Sequence, residues 1–180
     1  MEQKQYQGWS IIVDADGCLT DGKKYVDATG QRQMIAFHSR DSIACNALVE
    51  MGFRVIIITL SDFEGIANYW TKYGAEVLYG GKVGKLTALR LNVWEEDWEK
   101  TIGIGDDITD IDYLEMVKYP YIVADAHPHY MSKELELWLG RSVYLGRGKP
   151  GSPKKLPCKG GDGVLAYIYQ LVKLGVYAND

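Results

Sequence analysis

Residues 9–13, Trp9-Ser10-Ile11-Ile12-Val13, form a short apolar run that ends in Asp14-Ala15-Asp16-Gly17. Such a run reads as a strand buried on both faces. It releases two carboxylates at its C-terminal end, followed by a glycine turn. In an open α/β sheet that end is where ligands bind. The stretch therefore asks for a parallel sheet that can place other polar groups opposite those two acids.

The rest of the chain supplies such a sheet. Residues 54–60 form a second apolar, β-branched run, and Glu76-Val77-Leu78-Tyr79, Thr101-Ile102-Gly103-Ile104 and Tyr121-Ile122-Val123-Ala124 read as further strands. Between the first two, Asp41 is placed to cap a helix with an apolar face of Ile43, Ala44, Ala47, Leu48 and Met51, ended by Gly52. Asp62 is placed to cap a second helix through Tyr69-Trp70; a third is expected near 83–91 and a last one over 163–174. Strands alternating with helices predict a Rossmann-like three-layer α/β sandwich with a mostly parallel sheet. Residues 23–37 break the rhythm and predict a β-hairpin around Asp27-Ala28-Thr29-Gly30, directly after the first motif. An isolated hairpin is marginal in water, so this one needs a partner surface.

The 180 residues are read as one domain, 1–180, with the hairpin as an insert. A net charge of −4 argues against a nucleic-acid surface held by bulk charge. No apolar stretch approaches the roughly 20 residues needed to span a bilayer, and no signal peptide is visible at Met1-Glu2-Gln3-Lys4. Cys18, Cys45 and Cys158 are odd in number and far apart, which fits reduced thiols and a cytoplasmic location.

Four segments end or follow strands with polar groups: Asp14-x-Asp16, Thr59, Lys85, and Gly105-Asp106-Asp107-x-x-Asp110. Phosphoryl transfer needs this combination. One carboxylate attacks phosphorus, a second moves the proton of the leaving oxygen and of water, and a divalent cation offsets repulsion between anions. A hydroxyl and an ammonium hold the phosphoryl oxygens. A calcium loop starting at Asp14 is excluded, because Leu19 and Tyr25 stand where such a loop needs Gly and Glu. Gly80-Gly81-Lys82-Val83-Gly84-Lys85 lacks the spacing of a phosphate-binding P-loop, and Leu86 replaces its Ser/Thr. Lys82 competes with Lys85 for the phosphate role. His127 and His129 have no third ligand in sequence, which argues against zinc.

These residues together resemble the haloacid dehalogenase-like phosphatases over about residues 9–174. Leu19-Thr20-Asp21-Gly22, Phe37-x-x-Arg40-Asp41, Ala124-Asp125-Ala126-His127-Pro128 and Gly160-Gly161-x-Gly163 are similar to its capless branch. That branch holds 3-deoxy-D-manno-octulosonate 8-phosphate phosphatases, nonulosonate phosphatases and the C-terminal domains of some acylneuraminate cytidylyltransferases. The resemblance implies a phosphomonoesterase acting on a small sugar-acid phosphate. Asp14 would be the nucleophile and Asp16 the general acid/base. Mg²⁺ would be held by Asp14, Asp16 (through its backbone carbonyl) and Asp106. Thr59 and Lys85 would act on the phosphate, Gly17 and Arg40 would contact substrate, and Asp107 or Asp110 would orient Lys85 or the metal waters. Arg40-Asp41 reads equally well as a surface pair with Asp41 as a helix cap. The resemblance further implies a homotetramer whose interface is built on the hairpin.

Two positions depart from the branch. Thr59 is followed by Leu60-Ser61-Asp62 where Gly-Arg, Gly-Glu or Ser-Glu is usual, and Asp162 stands where the C-terminal motif carries Arg. Both losses remove bidentate carboxylate recognition. Lys154, Lys155 and Lys159, in the Gly/Pro/Lys-rich loop 146–161, are candidate replacements. The sequence leaves two other functions open: a non-catalytic tetramerisation or regulatory domain, and a nucleotide or polynucleotide-end phosphatase.

Overall fold

The computed structural model describes residues 5–93, 95–127 and 153–178. Pro128, His129, Trp94, Trp138 and the first part of loop 146–161 lie outside the described residues. Six parallel strands form one sheet: β1 (Ser10–Asp14), β4 (Arg54–Thr59), β5 (Glu76–Tyr79), β6 (Thr101–Gly105), β7 (Tyr119–Ile122) and β8 (Lys154–Lys155), in the order β5-β4-β1-β6-β7-β8. β2 (Tyr25–Val26) and β3 (Arg32–Met34) make a separate antiparallel hairpin. The helices are α1 (Ser39–Met51), α2 (Gly65–Trp70), α3 (Lys85–Arg90), α4 (Ile111–Leu114) and α5 (Val164–Lys173). They flank the sheet in an α/β Rossmann-like fold, with α1 packed on α5 and α3 on α4. Among the described residues no helix is long and apolar enough to cross a membrane.

Sheet order places the site. The chain steps from β1 to β4 to β5 in one direction, then returns past β1 to β6. A right-handed crossover rule sends successive helices to opposite faces at such a reversal, opening a crevice at the carboxyl ends of the two strands. Val13 pairs with both Ile57 and Ile104, so Asp14, Thr59 and Gly105 end their strands at nearly one level. All residues of β1 and β6 are buried. Short runs of Ile and Val survive there because no water competes for their backbone.

The expected strands are present, with two adjustments. The fifth strand runs over 119–122 rather than 121–124, taking in Pro120 opposite Gly103. Proline supplies no ladder N–H, which is tolerated near a sheet edge. Beyond it β8, unforeseen inside the loop, pairs Lys154 with Tyr121 and Lys155 with Ile122.

Helix caps differ more. α1 starts at Ser39, and the His38 ring Nδ1 accepts from Arg40 N at 3.1 Å. Asp41 is fully buried and its Oδ1 accepts from Ala166 N at 3.0 Å, so it caps α5 instead of its own helix. The buried residues of α1 are Asp41, Ser42, Ala44, Cys45 and Leu48, while Ile43 is 70% exposed. α2 begins after Glu64 with no side-chain cap, so Asp62 does not cap it. Phe37 anchors the hairpin's return to the body, stacking on Tyr69 at 4.8 Å and edge-on to Trp70 at 5.1 Å.

Burial raises the Asp41 carboxyl above its ordinary value, against the backbone N–H groups of α5 that lower it. An acid with a raised folded pKa binds protons in the native state first, so its contribution to stability falls as pH climbs through that raised value. We expect Asp41→Asn, which keeps the acceptor, to flatten the decline in stability that sets in as pH rises above the ordinary carboxylate range. Urea midpoints across that rise check it; an unaltered slope contradicts the assignment.

Candidate active site

Lys85 is the hub. It opens α3, is buried, and its Nζ lies 2.7 Å from Asp14 Oδ1 and 2.6 Å from Asp110 Oδ1. Asp14 Oδ1 also accepts from Ala15 N at 2.8 Å. Asp110 Oδ2 accepts from the backbone N–H of Asp106 and of Asp107, each at 3.1 Å. One lysine thus joins the end of β1 to the loop after β6. Asp110 takes the lysine; Asp107 instead accepts from Ile108 N at 2.6 Å and starts the short turn over 108–110. Lys82 does not line the cavity described below.

The turn after β1 is shaped by Thr20, whose Oγ1 accepts from Gly17 N at 3.2 Å and Gly22 N at 3.1 Å. Gly17 has φ +92°, and a Cβ there would fall 1.9 Å from Asp106 Oδ2. Only glycine lets the Asp106 carboxylate approach this turn. The C-terminal loop closes over the same turn: Gly161 N donates to Cys18 O at 2.8 Å, and Gly160 N to Asp125 Oδ1 at 2.9 Å. The Ala124-Asp125 and Gly160-Gly161 motifs therefore brace the first motif from behind.

An open cavity of about 1120 Å³ stands over these strand ends. Asp14, Asp16, Thr59 and Lys85 line its floor, with Asp62, Glu64 and Asp107 on its walls. Thr59 is buried, and its Oγ1 accepts from Ser61 N at 3.0 Å. Asp16 turns its Oδ1 to Arg32 Nη2 of β3, 2.8 Å away. Arg40 is exposed on α1 and does not line the cavity; neither do Lys154, Lys155 and Lys159. Sequence reasoning passed over Arg32. The available signal was its place, in the return strand of a hairpin that starts just after the first motif.

Oxygens of Asp14, Asp106 and Asp110 all lie within 4.8 Å of one another. Three carboxylates face one ammonium, leaving the cluster anionic in a buried place. Burial and the Asp110 charge raise Asp14 well above the ordinary carboxylate value against the pull of Lys85. Burial and Asp110 likewise push Asp106 up to about 7. Burial pulls Lys85 down, but Asp14 and Asp110 together outweigh it and its pKa rises. This all-oxygen, charge-deficient set fits a hard divalent cation, which would reverse the upward shifts. Asp14, Asp106 and Asp110 are the acids that could hold it, and of the three Asp110 is the most occupied, with Lys85 and two N–H groups on its oxygens.

No protein-family model matches the chain. Curated relatives do match. The chain is 29% identical over 151 residues to the 3-deoxy-D-manno-octulosonate 8-phosphate phosphatase of Haemophilus influenzae, covering 82% of this chain and 81% of that one. It is 31% identical over 125 residues to the phosphatase of the same name from Yersinia pestis, covering 68% and 66%. The chain belongs to the haloacid dehalogenase-like phosphatases. A solved structure of the Moraxella catarrhalis phosphatase of that name, in complex with magnesium, phosphate and a KDO molecule, shares the fold, with a TM-score of 0.70 at 20% identity over 93% of this chain and 87% of that one. Within this family the two departures separate in space: Asp62 stands on the cavity wall, whereas Asp162 sits in the C-terminal loop and donates its N–H to Lys159 O.

Removing one partner of a buried ion pair leaves the other charge uncompensated, at about 3–5 kcal/mol. Lys85→Met strands two buried carboxylates and is expected to lower unfolding free energy by about that amount. Urea denaturation measures it; a loss under about 1 kcal/mol would show that the cluster does not hold the sheet ends together.

Proposed function

We propose that this phosphatase is a Mg²⁺-dependent phosphomonoesterase of small sugar-acid phosphates, working through an aspartyl-phosphate on Asp14. The observation that carries the reading is the Asp14 carboxylate, fixed by Lys85 at 2.7 Å on the floor of an open cavity, with Asp16 two residues on. The names and ligands of the Haemophilus, Yersinia and Moraxella proteins support both the substrate class and the metal.

The chain's own residues supply the nucleophile and the proton transfers. Asp14 attacks phosphorus while Asp16 gives a proton to the departing sugar oxygen. Asp16, now a carboxylate, takes a proton from water as that water attacks the aspartyl-phosphate, releasing phosphate and restoring Asp14. Thr59 and Lys85 hold phosphoryl oxygens, and Asp110 keeps Lys85 aimed. Asp14 and Asp106, with the Asp16 backbone carbonyl, would hold Mg²⁺, which supplies charge neutralisation at the phosphoryl group. The anionic cluster with its lysine is more than a purely assembling domain requires, and the net charge of −4 disfavours a polynucleotide.

We expect Asp14→Asn to lower kcat by about a thousandfold or more with the fold retained, and chelation to abolish turnover reversibly. A panel of phosphate esters, run with and without Mg²⁺, measures both. Undiminished Asp14→Asn turnover removes the nucleophile assignment.

We also infer a single domain over 1–180, a cytoplasmic location in keeping with its three free cysteines, and a homotetramer. The hairpin supports the last: Tyr25, Val26 and Met34 are 45%, 55% and 62% exposed on a two-stranded ribbon that is marginal alone. Tyr25→Lys combined with Met34→Lys, a cross-strand pair on one face, should lower the assembly's mass in light scattering, and an unaltered mass places the interface elsewhere.

A further inference from the structure

We propose that Arg32 recognises the carboxylate of the substrate, taking over the task of the arginines missing at Ser61-Asp62 and Asp162. The inference rests on the sugar-acid phosphatase reading and names the group that selects the acid end.

Arg32 lies at a break in the hairpin register, where Tyr25 pairs with Met34 but Val26 pairs with Arg32, leaving Gln33 as the extra residue. Its side chain is only 9% exposed and lines the cavity. The guanidinium lies over the Phe63 ring, 5.5 Å from its centroid, which fixes its plane. Nη2 approaches Asp16 Oδ1 at 2.8 Å, yet without hydrogen-bond alignment, and Nε and Nη1 have no acceptor at all. A shielded guanidinium with unfilled donors is costly. A planar carboxylate entering beside it can take two parallel N–H bonds.

The other cations of the cavity are not suited to the task. Lys85 is committed to Asp14 and Asp110 on the floor, where the phosphoryl group goes. Lys24 is exposed, so water and salt screen it. Asp62 and Glu64 line the same cavity and repel a carboxylate, and Asp16 meets Arg32 only at Nη2, which leaves the Nε and Nη1 side of Arg32 as the favourable approach. Asp16 links the two ends of the substrate: it touches Arg32 and follows Asp14 by two residues, so an acid held at Arg32 keeps its phosphate ester over the nucleophile.

The test is calorimetric binding, with Mg²⁺, of 3-deoxy-D-manno-octulosonate 8-phosphate and of its analogue with the carboxylate reduced to an alcohol. The Asp14→Asn chain is used so that neither ester is consumed. We expect it to prefer the acid ester by about tenfold or more, and Asp14→Asn/Arg32→Gln to lose most of that preference. Asp14→Asn/Arg32→Lys keeps the buried charge without the fork and should regain only part of it, which answers the question even if the glutamine chain folds poorly. A preference untouched by both substitutions, an equal weakening of both esters, or no preference in the Arg32 chain overturns the proposal. Phosphate release by the chain with Asp14 intact is read separately. Arg32-dependent preference without turnover retains this inference and sinks the phosphatase reading; equal turnover and binding of both esters sinks only this inference.

Discussion

A buried ammonium held between two buried carboxylates organises this molecule. Lys85, Asp14 and Asp110 come from the start of α3, the end of β1 and the turn after β6. Each would be expensive to bury alone. Together they fix three elements at the carboxyl edge of the sheet, and Asp110 passes the constraint on to the Asp106 and Asp107 amides. The cluster remains anionic after this pairing. Its geometry is therefore stable only in company with a cation or a compensating proton, and the same imbalance that strains the folded chain prepares it for metal and substrate.

Much of this was legible in the sequence. β1, β4 and β6 announce themselves because strands buried on both faces need unbroken apolar runs, and the reactive residues stand at their ends. Lys85 was placed by register after β5. Other features depend on partners distant in the chain. Asp41 looks like a cap for the helix it sits in, but its acceptor oxygen meets Ala166, 125 residues away. Asp107 and Asp110 are equivalent on paper; only the turn over 108–110 decides which one reaches the lysine. β8 gains its two-residue identity from the β7 edge rather than from any pattern of its own.

The hairpin serves two surfaces at once. One side carries Arg32 against Phe63 and Asp16 at the cavity wall, and Phe37 secures its exit to α2. The other presents the cross-strand pair Tyr25 and Met34 to the outside. A change in how that outer side is covered is transmitted to the wall facing the substrate through a ribbon only a few residues wide. If copies of the chain meet on that outer side, as proposed above, assembly and the cavity wall are neighbours, with no long relay between them.

The C-terminal loop carries a consequence in time. Gly160 lies so close to the first motif that a Cβ there would come 1.8 Å from Gly17 O, and Gly161 N donates to Cys18 O. The turn after Asp14 is thus completed by residues that follow it by more than 140 positions. During synthesis the strand bearing Asp14 emerges first, yet its turn has no back wall until Gly160 and Gly161 follow. Such long-range closure is slow to form and late in folding. The growing chain therefore carries these acids in an unbraced turn, and their final spacing waits on two glycines made long after them.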